Sequence, residues 1–174
     1  KTTVVERIRR AVPQIVRSVS VTTRLPRRGE RQGDHYRFLS VAAFRRMRRA
    51  GALLEWARVH GAYYGTPKRA ILRALDDGKR VVLNIDVQGA RQVRRALGAR
   101  AVLVFLVPPS LTRLRQRLRR RHTESPAADR RRLTAAKREL ACASWYDHRV
   151  VNDRLSTAVR DVKAIIVGTV QHKG

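Results

Sequence analysis

The pattern of apolar and polar positions predicts a series of short strands and amphipathic helices, and residues 80–85 form one of its apolar runs. After Arg80 this run is made of branched apolar side chains with Asn84 as its one polar interruption. Such a run predicts a strand buried on both faces, as in the centre of a parallel sheet. The strand ends at Asp86, where open α/β sheets bind their ligands. Because residues 88–97 have a helical pattern, Asp86 could equally be the cap of that helix.

Other elements follow from the same pattern. An amphipathic helix begins at the N-terminus, with its apolar face at Val4, Val5, Ile8, Ala11 and Val12. Ser40 is placed to cap a helix that stops at Gly51, and Ser110 to cap a helix from Leu111. A closing helix is predicted over residues 156–167. Further strands are predicted at residues 18–21, 33–38, 53–60, within 61–67, and at 101–107. Together these elements predict an α/β fold.

Length and charge narrow the class of protein. The chain of 174 residues is long enough for one domain with a substantial core, and 43% of its residues are apolar. Its formal charge is +27, and all but six of its 40 cationic residues are Arg. This excess suits anionic partners such as phosphates, or nucleic acid held by nonspecific electrostatics. A compositional bias towards Arg on solvated surfaces would explain the excess equally well.

The cysteine content and hydropathy indicate a compartment. The single cysteine, Cys142, lies in a helical pattern and cannot form an internal disulfide. No apolar run approaches the length of a membrane span, and the N-terminus has no signal-peptide pattern. No cysteine and histidine spacing indicates a structural metal. We therefore expect a cytoplasmic protein that is not bound to a membrane.

Three stretches carry candidate chemistry. The chain begins Lys1, Thr2, Thr3 directly before a helix, as in the second half of a phosphate-binding loop, although three residues alone are a weak signal. Arg24 and Arg27 flank Pro26 on a turn, where guanidinium groups could bind a phosphate or simply be solvated. Glu55 lies within an apolar strand. It could be exposed, or it could accept hydrogens from a base.

Several ordered motifs together resemble guanylate kinase, and the resemblance extends over almost the whole chain. They are SVSVTTRLPRR from Ser18, GDHYRF from Gly33, LEWARVHGAYYGTP from Leu54, IDVQGARQ from Ile85 and VPPSL from Val107. Residues 148–153 resemble the family's last strand and the turn near its adenine site. The resemblance implies phosphoryl transfer from ATP to GMP, with Mg²⁺ bound with ATP. It also implies that the family's first strand and the glycine part of its phosphate-binding loop would precede Lys1.

The implied architecture is a parallel sheet with flanking helices, as in P-loop nucleoside-monophosphate kinases. A single domain is expected, with a core of residues 1–17, 80–118 and 134–174. A small GMP-binding insertion would span residues 18–79, and a helical lid residues 119–133.

The resemblance also implies roles for individual residues. Those expected to bind GMP are Ser20, Arg24, Arg27, Tyr36, Glu55, Tyr64, Thr66 and Asp86. Among them, two guanidinium forks and two phenol hydroxyls would hold the phosphate, those of Arg24, Arg27, Tyr36 and Tyr64. Glu55 would accept from the guanine. Those expected to bind ATP are Lys1, Thr2, Thr3 and Asn152, with Thr2 also holding the metal ion. Those expected to act in catalysis are Lys1, Asp86, Arg121 and Arg132.

Some residues depart from the family pattern and leave alternatives open. Asn84 stands where an acid is common, and His122 replaces a glycine of the lid. One alternative is a non-catalytic relative that binds an acidic or phosphorylated partner through the same pocket. The missing glycine loop favours it, whereas the guanine reader and the lid arginines argue against it. A nucleic-acid-binding protein is the third alternative, and its binding would weaken steeply with salt. The sequence does not indicate an oligomeric state.

Overall fold

The computed structural model describes residues 2–12, 14–59, 61–119, 134 and 138–168. Thr2 and residues 4–101 form one compact unit, and Thr3 belongs with the residues from Val102 onward to a second. None of the helices in the described ranges is long and apolar enough to span a membrane.

In its described residues, the unit that ends at Ala101 contains four α-helices, one short 3-10 helix (Gly98–Arg100) and six strands. The helices are α1 (Thr2–Ala11), α2 (Val41–Arg49), α3 (Lys68–Asp76) and α4 (Val87–Leu97). The strands are β1 (Ile15–Arg17), β2 (Val21–Thr22), β3 (Arg37–Phe38), β4 (Leu53–Val59), β5 (Ala62–Pro67) and β6 (Arg80–Val82). β1 pairs in parallel with β6, and Ile15 lies opposite Arg80.

The other four strands form a mixed sheet in the order β3-β2-β5-β4. β4 and β5 are an antiparallel hairpin in which Glu55 lies opposite Thr66, and β2 continues the sheet on the other side of β5. The turn of the hairpin includes Gly61, whose φ of 87° lies in the left-handed region that glycine adopts without strain. This sheet places residues from three sequence motifs on neighbouring strands, namely those that begin at Ser18, Gly33 and Leu54.

Apolar packing joins this sheet to the helices that follow it. α4 packs against β4, and α3 packs against β4 and β6. The buried residues of this cluster are Leu54, Ile71, Val93 and Ala101. Elsewhere in the unit Phe44 of α2 is fully buried, and its ring stacks on that of Tyr63 with 5.2 Å between the centroids. The hairpin is therefore held by packing from α2, α3 and α4.

Side-chain caps set the start of two helices in this unit. Ser40 accepts a hydrogen bond from Ala43 N at the start of α2, as the sequence predicts. The helix ends at Arg49, and Gly51 follows with φ 62°. Asp86 accepts from Gly89 N at the start of α4. The capping interpretation of Asp86 is therefore confirmed.

The unit that begins at Val102 has a parallel strand pair of its own. β7 (Val104–Val107) pairs with β8 (His148–Val151). α5 (Leu111–Arg119) begins after Ser110, whose hydroxyl accepts from Arg113 N, as predicted. α6 (Leu155–Gly168) packs against β8 through a face that includes Ala158 and Val162.

Several predicted strand boundaries are wrong. The strand predicted over residues 80–85 ends at Val82, because β1 ends at Arg17 opposite Val82 and the pairing stops there. The strand is half-buried rather than buried on both faces. The strand predicted over 18–21 is shifted to Val21–Thr22, where pairing with β5 begins, and β1 was not predicted.

Two further strands are shorter than predicted. Within residues 33–38 only Arg37 and Phe38 are strand, since Gly33 N bonds to Tyr36 O in a tight turn. The strand predicted over 101–107 begins at Val104.

Candidate functional site

Glu55 lies on β4 with its carboxyl group turned into the protein. The residue is 4% exposed, and the Thr66 hydroxyl across the hairpin donates a 2.6 Å hydrogen bond to Oε1. Burial raises the pKa of Glu55 to about 7, the Thr66 hydrogen bond lowers it, and the charge of Asp86 adds to the rise. This carboxylate is therefore costly to ionise unless a ligand supplies further hydrogen-bond donors.

Gly89 in the first turn of α4 makes room for this carboxyl group. A Cβ at position 89 would overlap Glu55 Oε2 and lie 3.1 Å from its Cδ. The Gly89 amide donates to Asp86 Oδ1 at 2.8 Å, so the turn is fixed in place. Because any larger residue would displace the carboxyl group, Gly89 determines where Glu55 can lie.

Gln92, one turn further along α4, fixes β4 beside Glu55. Its Oε1 accepts from Trp56 N at 3.1 Å, and its Nε2 donates to Trp56 O at 2.7 Å. One side-chain amide thus pairs with both polar groups of one residue of the strand. Sequence reasoning assigned Gln92 no role, and its only signal was its place in the motif that follows Ile85.

A second group of polar residues surrounds Arg24. Its Nη1 and Nη2 donate to the two carboxylate oxygens of Glu30 at 2.8 and 2.9 Å, and its Nε donates to Tyr64 Oη at 3.2 Å. The hydrogen bonds from Arg24 hold the pKa of Glu30 below its ordinary value, and the pKa of Arg24 rises in turn. Sequence reasoning did not identify Glu30.

Two aromatic rings cover the Arg24 guanidinium, and one of them is a predicted site residue. Arg24 Cζ lies 5.4 Å from the ring centroid of Tyr36 and 5.8 Å from that of Phe38. The rings of Tyr36 and Tyr64 meet edge to face at 6.1 Å. Burial raises the pKa of Tyr36. The structure therefore brings together three of the residues predicted to bind phosphate.

The remaining predicted phosphate ligand, Arg27, is exposed, and its backbone N donates to Glu30 Oε2 at 2.7 Å. Ser20 is half-buried directly before β2, and its carbonyl accepts from Arg37 N at 2.9 Å. Thr2 is exposed at the start of α1, and its Oγ1 accepts from Asn84 Nδ2 at 3.3 Å. The described ranges contain no group of three or more His, Cys, Asp or Glu side chains that could hold a metal ion.

Comparison with known proteins identifies the family. The sequence profile of the family described as guanylate kinase matches residues 8–169. A guanylate kinase of Gloeobacter violaceus is 50% identical over 166 residues, which cover 95% of this chain and 80% of that protein. The chain belongs to the guanylate kinase family.

Two other relatives extend the comparison. A guanylate kinase of Leifsonia xyli subsp. xyli is 52% identical over 163 residues, covering 93% of this chain and 64% of that protein. The crystal structure of guanylate kinase from Anaplasma phagocytophilum matches with a TM-score of 0.83 and 31% identity, over 97% of this chain and 81% of that one. The predicted α/β kinase fold and the predicted guanylate kinase function are confirmed.

The structure also describes the positions of three other site residues predicted from the resemblance to guanylate kinase. Asp86 caps α4 and also accepts from Gln88 Nε2 at 3.2 Å. Thr3 is exposed in the first turn of α1. Asn152 belongs to the unit from Val102 onward, follows β8, and donates its backbone N–H to Val107 O at 2.7 Å.

Three predicted catalytic positions are not described. Lys1, Arg121 and Arg132 lie outside the described residues, as does nearly all of the predicted lid. The prediction of a strand and glycine loop before Lys1 stays a prediction, and so do the domain boundaries.

Proposed function

We propose that this guanylate kinase recognises the guanine of GMP through Glu55 and its phosphate through the Arg24 and Tyr64 cluster, for transfer of a phosphoryl group from ATP. The observation that carries the proposal is the buried Glu55 carboxyl group, which is bound by Thr66 and lies on the strand next to that of Tyr64. A buried acid beside a group of phenols and guanidinium groups matches the two ends of a purine nucleotide.

The chemistry of Glu55 favours guanine over adenine. Its carboxylate can accept from both N1–H and the 2-amino group of guanine, while Thr66 holds Oε1 from the protein side. Adenine has neither donor at those positions. Its binding would leave a buried carboxylate short of hydrogen bonds, a mismatch that carries a large free-energy cost.

The phosphate would be bound by donors of two kinds. The exposed Arg27 supplies a charged fork, and Tyr36 and Tyr64 supply phenol hydroxyl groups, with Arg24 bonded to Tyr64 between them. Such a mixture suits a phosphate dianion, which presents several acceptor oxygens in different directions. Ser20, directly before β2, would supply a hydroxyl group to the nucleotide.

The proposed donor site involves residues at the start of α1, Asp86 and Asn152, and residues outside the described ranges. Lys1, Thr2, Thr3 and Asn152 are proposed to bind ATP, while Asp86, Arg121 and Arg132 would act near the transferred phosphoryl group. Thr2 offers an exposed hydroxyl oxygen, and oxygen ligands together with phosphates and water are what Mg²⁺ requires. When bound with ATP, Mg²⁺ would neutralise charge on the phosphate oxygens.

The test is release of ADP from ATP and Mg²⁺ with GMP, AMP or neither as the acceptor. The full chain is compared with its Glu55→Gln variant and with Glu139→Gln, which makes the same chemical change in the other unit. We expect ADP release that requires GMP, persists at high salt, and falls in Glu55→Gln alone. Binding of GMP without any GMP-dependent ADP release, both by this chain and by one extended with the residues encoded upstream of Lys1, would refute the catalytic part of the proposal and favour a non-catalytic binding module.

A further inference from the structure

The Arg24 guanidinium is already occupied by the protein. It donates to Tyr64 Oη, to both oxygens of Glu30, and from Nη1 to Leu25 O at 2.6 Å. These bonds use four of the five N–H groups that a guanidinium has. Within the described residues Arg24 therefore has one N–H left for a ligand, so it cannot offer a phosphate the two-pronged contact expected from the sequence.

Arg24 also sets the orientation of the Tyr64 hydroxyl group. Because the hydroxyl oxygen of Tyr64 accepts from Arg24 Nε, a lone pair of that oxygen is fixed towards Arg24. The hydroxyl proton must then point away from Arg24, so the hydroxyl group can donate a hydrogen bond on that side. Tyr64 is thus prepared to donate a hydrogen bond to an anionic oxygen.

Glu30 fixes this arrangement from the other side. Its side chain is 18% exposed, and its Oε2 accepts from the backbone N of Arg27 as well as from Arg24. A single carboxylate therefore sets the plane of Arg24 and the position of the loop that carries the exposed Arg27.

We propose that Glu30 is a positioning residue for the phosphate of GMP, which aligns Arg24 so that Tyr64 donates to the phosphate and holds Arg27 beside it. This inference rests on the proposed function. The contrary interpretation is that the carboxylate competes with the phosphate for Arg24. The enclosure of Arg24 disfavours competition, because the rings of Tyr36 and Phe38 lie over the guanidinium while Glu30 and Tyr64 occupy its edges.

Calorimetric binding of GMP and of guanosine to the full chain separates these interpretations. Guanosine keeps the base and lacks the phosphate. We expect Glu30→Gln to weaken GMP binding about tenfold, as for loss of a charge-assisted hydrogen bond, and to leave guanosine binding within about twofold. The control is Asp34→Asn, which makes the same change of charge on an exposed acid of the same sheet region and should change neither.

A second comparison tests whether Glu30 acts on the phosphate through Tyr64. In a Tyr64→Phe background the hydroxyl is gone, so the additional effect of Glu30→Gln on GMP binding should fall to about threefold or less. An equally large effect in both backgrounds would show that Glu30 does not act through Tyr64 and would overturn that part of the inference. Retained guanosine binding shows in each case that the variant is folded.

Three different results would contradict the inference about Glu30. Tighter GMP binding by Glu30→Gln would show competition and overturn the inference, as would equal weakening of GMP and guanosine, which would show a purely structural role. If the unmodified chain bound GMP no better than guanosine, the proposed phosphate site would fail, and the inference with it.

Discussion

Replacing Glu55 by Gln should stabilise the protein at neutral pH while it removes the preference for guanine. Folding raises the pKa of Glu55 from its ordinary value of 4.5 to about 7, chiefly through burial. Between these two values the folded chain holds a proton that the unfolded chain has released. Stability therefore falls as pH rises through this interval. At about 1.4 kcal/mol per pH unit, the full penalty is about 3 kcal/mol.

Glutamine keeps the shape of the side chain and an oxygen for the Thr66 hydroxyl, and it has no charge to desolvate. The assay is urea unfolding of both proteins at about pH 4.5 and about pH 8. The difference in unfolding free energy should be small at the lower pH, and at the higher pH should favour Glu55→Gln by up to about 3 kcal/mol. Because only the difference is used, other titrating groups cancel.

A stability difference that does not change between these pH values would refute the reasoning. It would mean that Glu55 is not protonated in the folded chain at neutral pH. A variant that is more stable at the higher pH and still prefers guanine over adenine would support the pKa argument and contradict the role of Glu55 in base recognition.

Four further outcomes follow from the same contacts. Gly89→Ala should weaken guanosine binding at least about tenfold, measured by calorimetry, because its Cβ would displace the Glu55 carboxyl group. Guanosine binding should tighten as pH rises through about 7, since only the ionised Glu55 carboxylate can accept hydrogen bonds from both guanine donors. Thr66→Val should move that transition to higher pH, because the Thr66 hydrogen bond lowers the pKa. Ser40→Ala should lower the unfolding free energy by about 1 kcal/mol in urea, through loss of the α2 cap.

Features set by local chemistry could be predicted from the sequence. Ser40 caps α2 and Gly51 follows its end, because a hydroxyl acceptor and a left-handed glycine act within a few residues of themselves. The hairpin of β4 and β5 was likewise evident from two strand patterns around Gly61. The proximity of Glu55 and Thr66 follows from that hairpin once its register is known.

Features set by distant partners could not be predicted in the same way. The extent of β6 depends on where β1 ends, which lies more than 60 residues earlier in the chain. Glu30 is one acid in an Arg-rich turn of the sequence, and nothing local shows that both its oxygens bind Arg24. Both interpretations of Asp86 agreed with the sequence, and only the hydrogen bond from Gly89 established the cap.

The contact between Gln92 and Trp56 also bears on solubility. β4 lies at the border of the four-stranded sheet, and the outer side of such a border strand can recruit a strand from another molecule and so begin aggregation. The Gln92 amide occupies both backbone groups of Trp56 on that side, as a neighbouring strand would. A single side chain from a helix thus closes the middle of this border to intermolecular pairing.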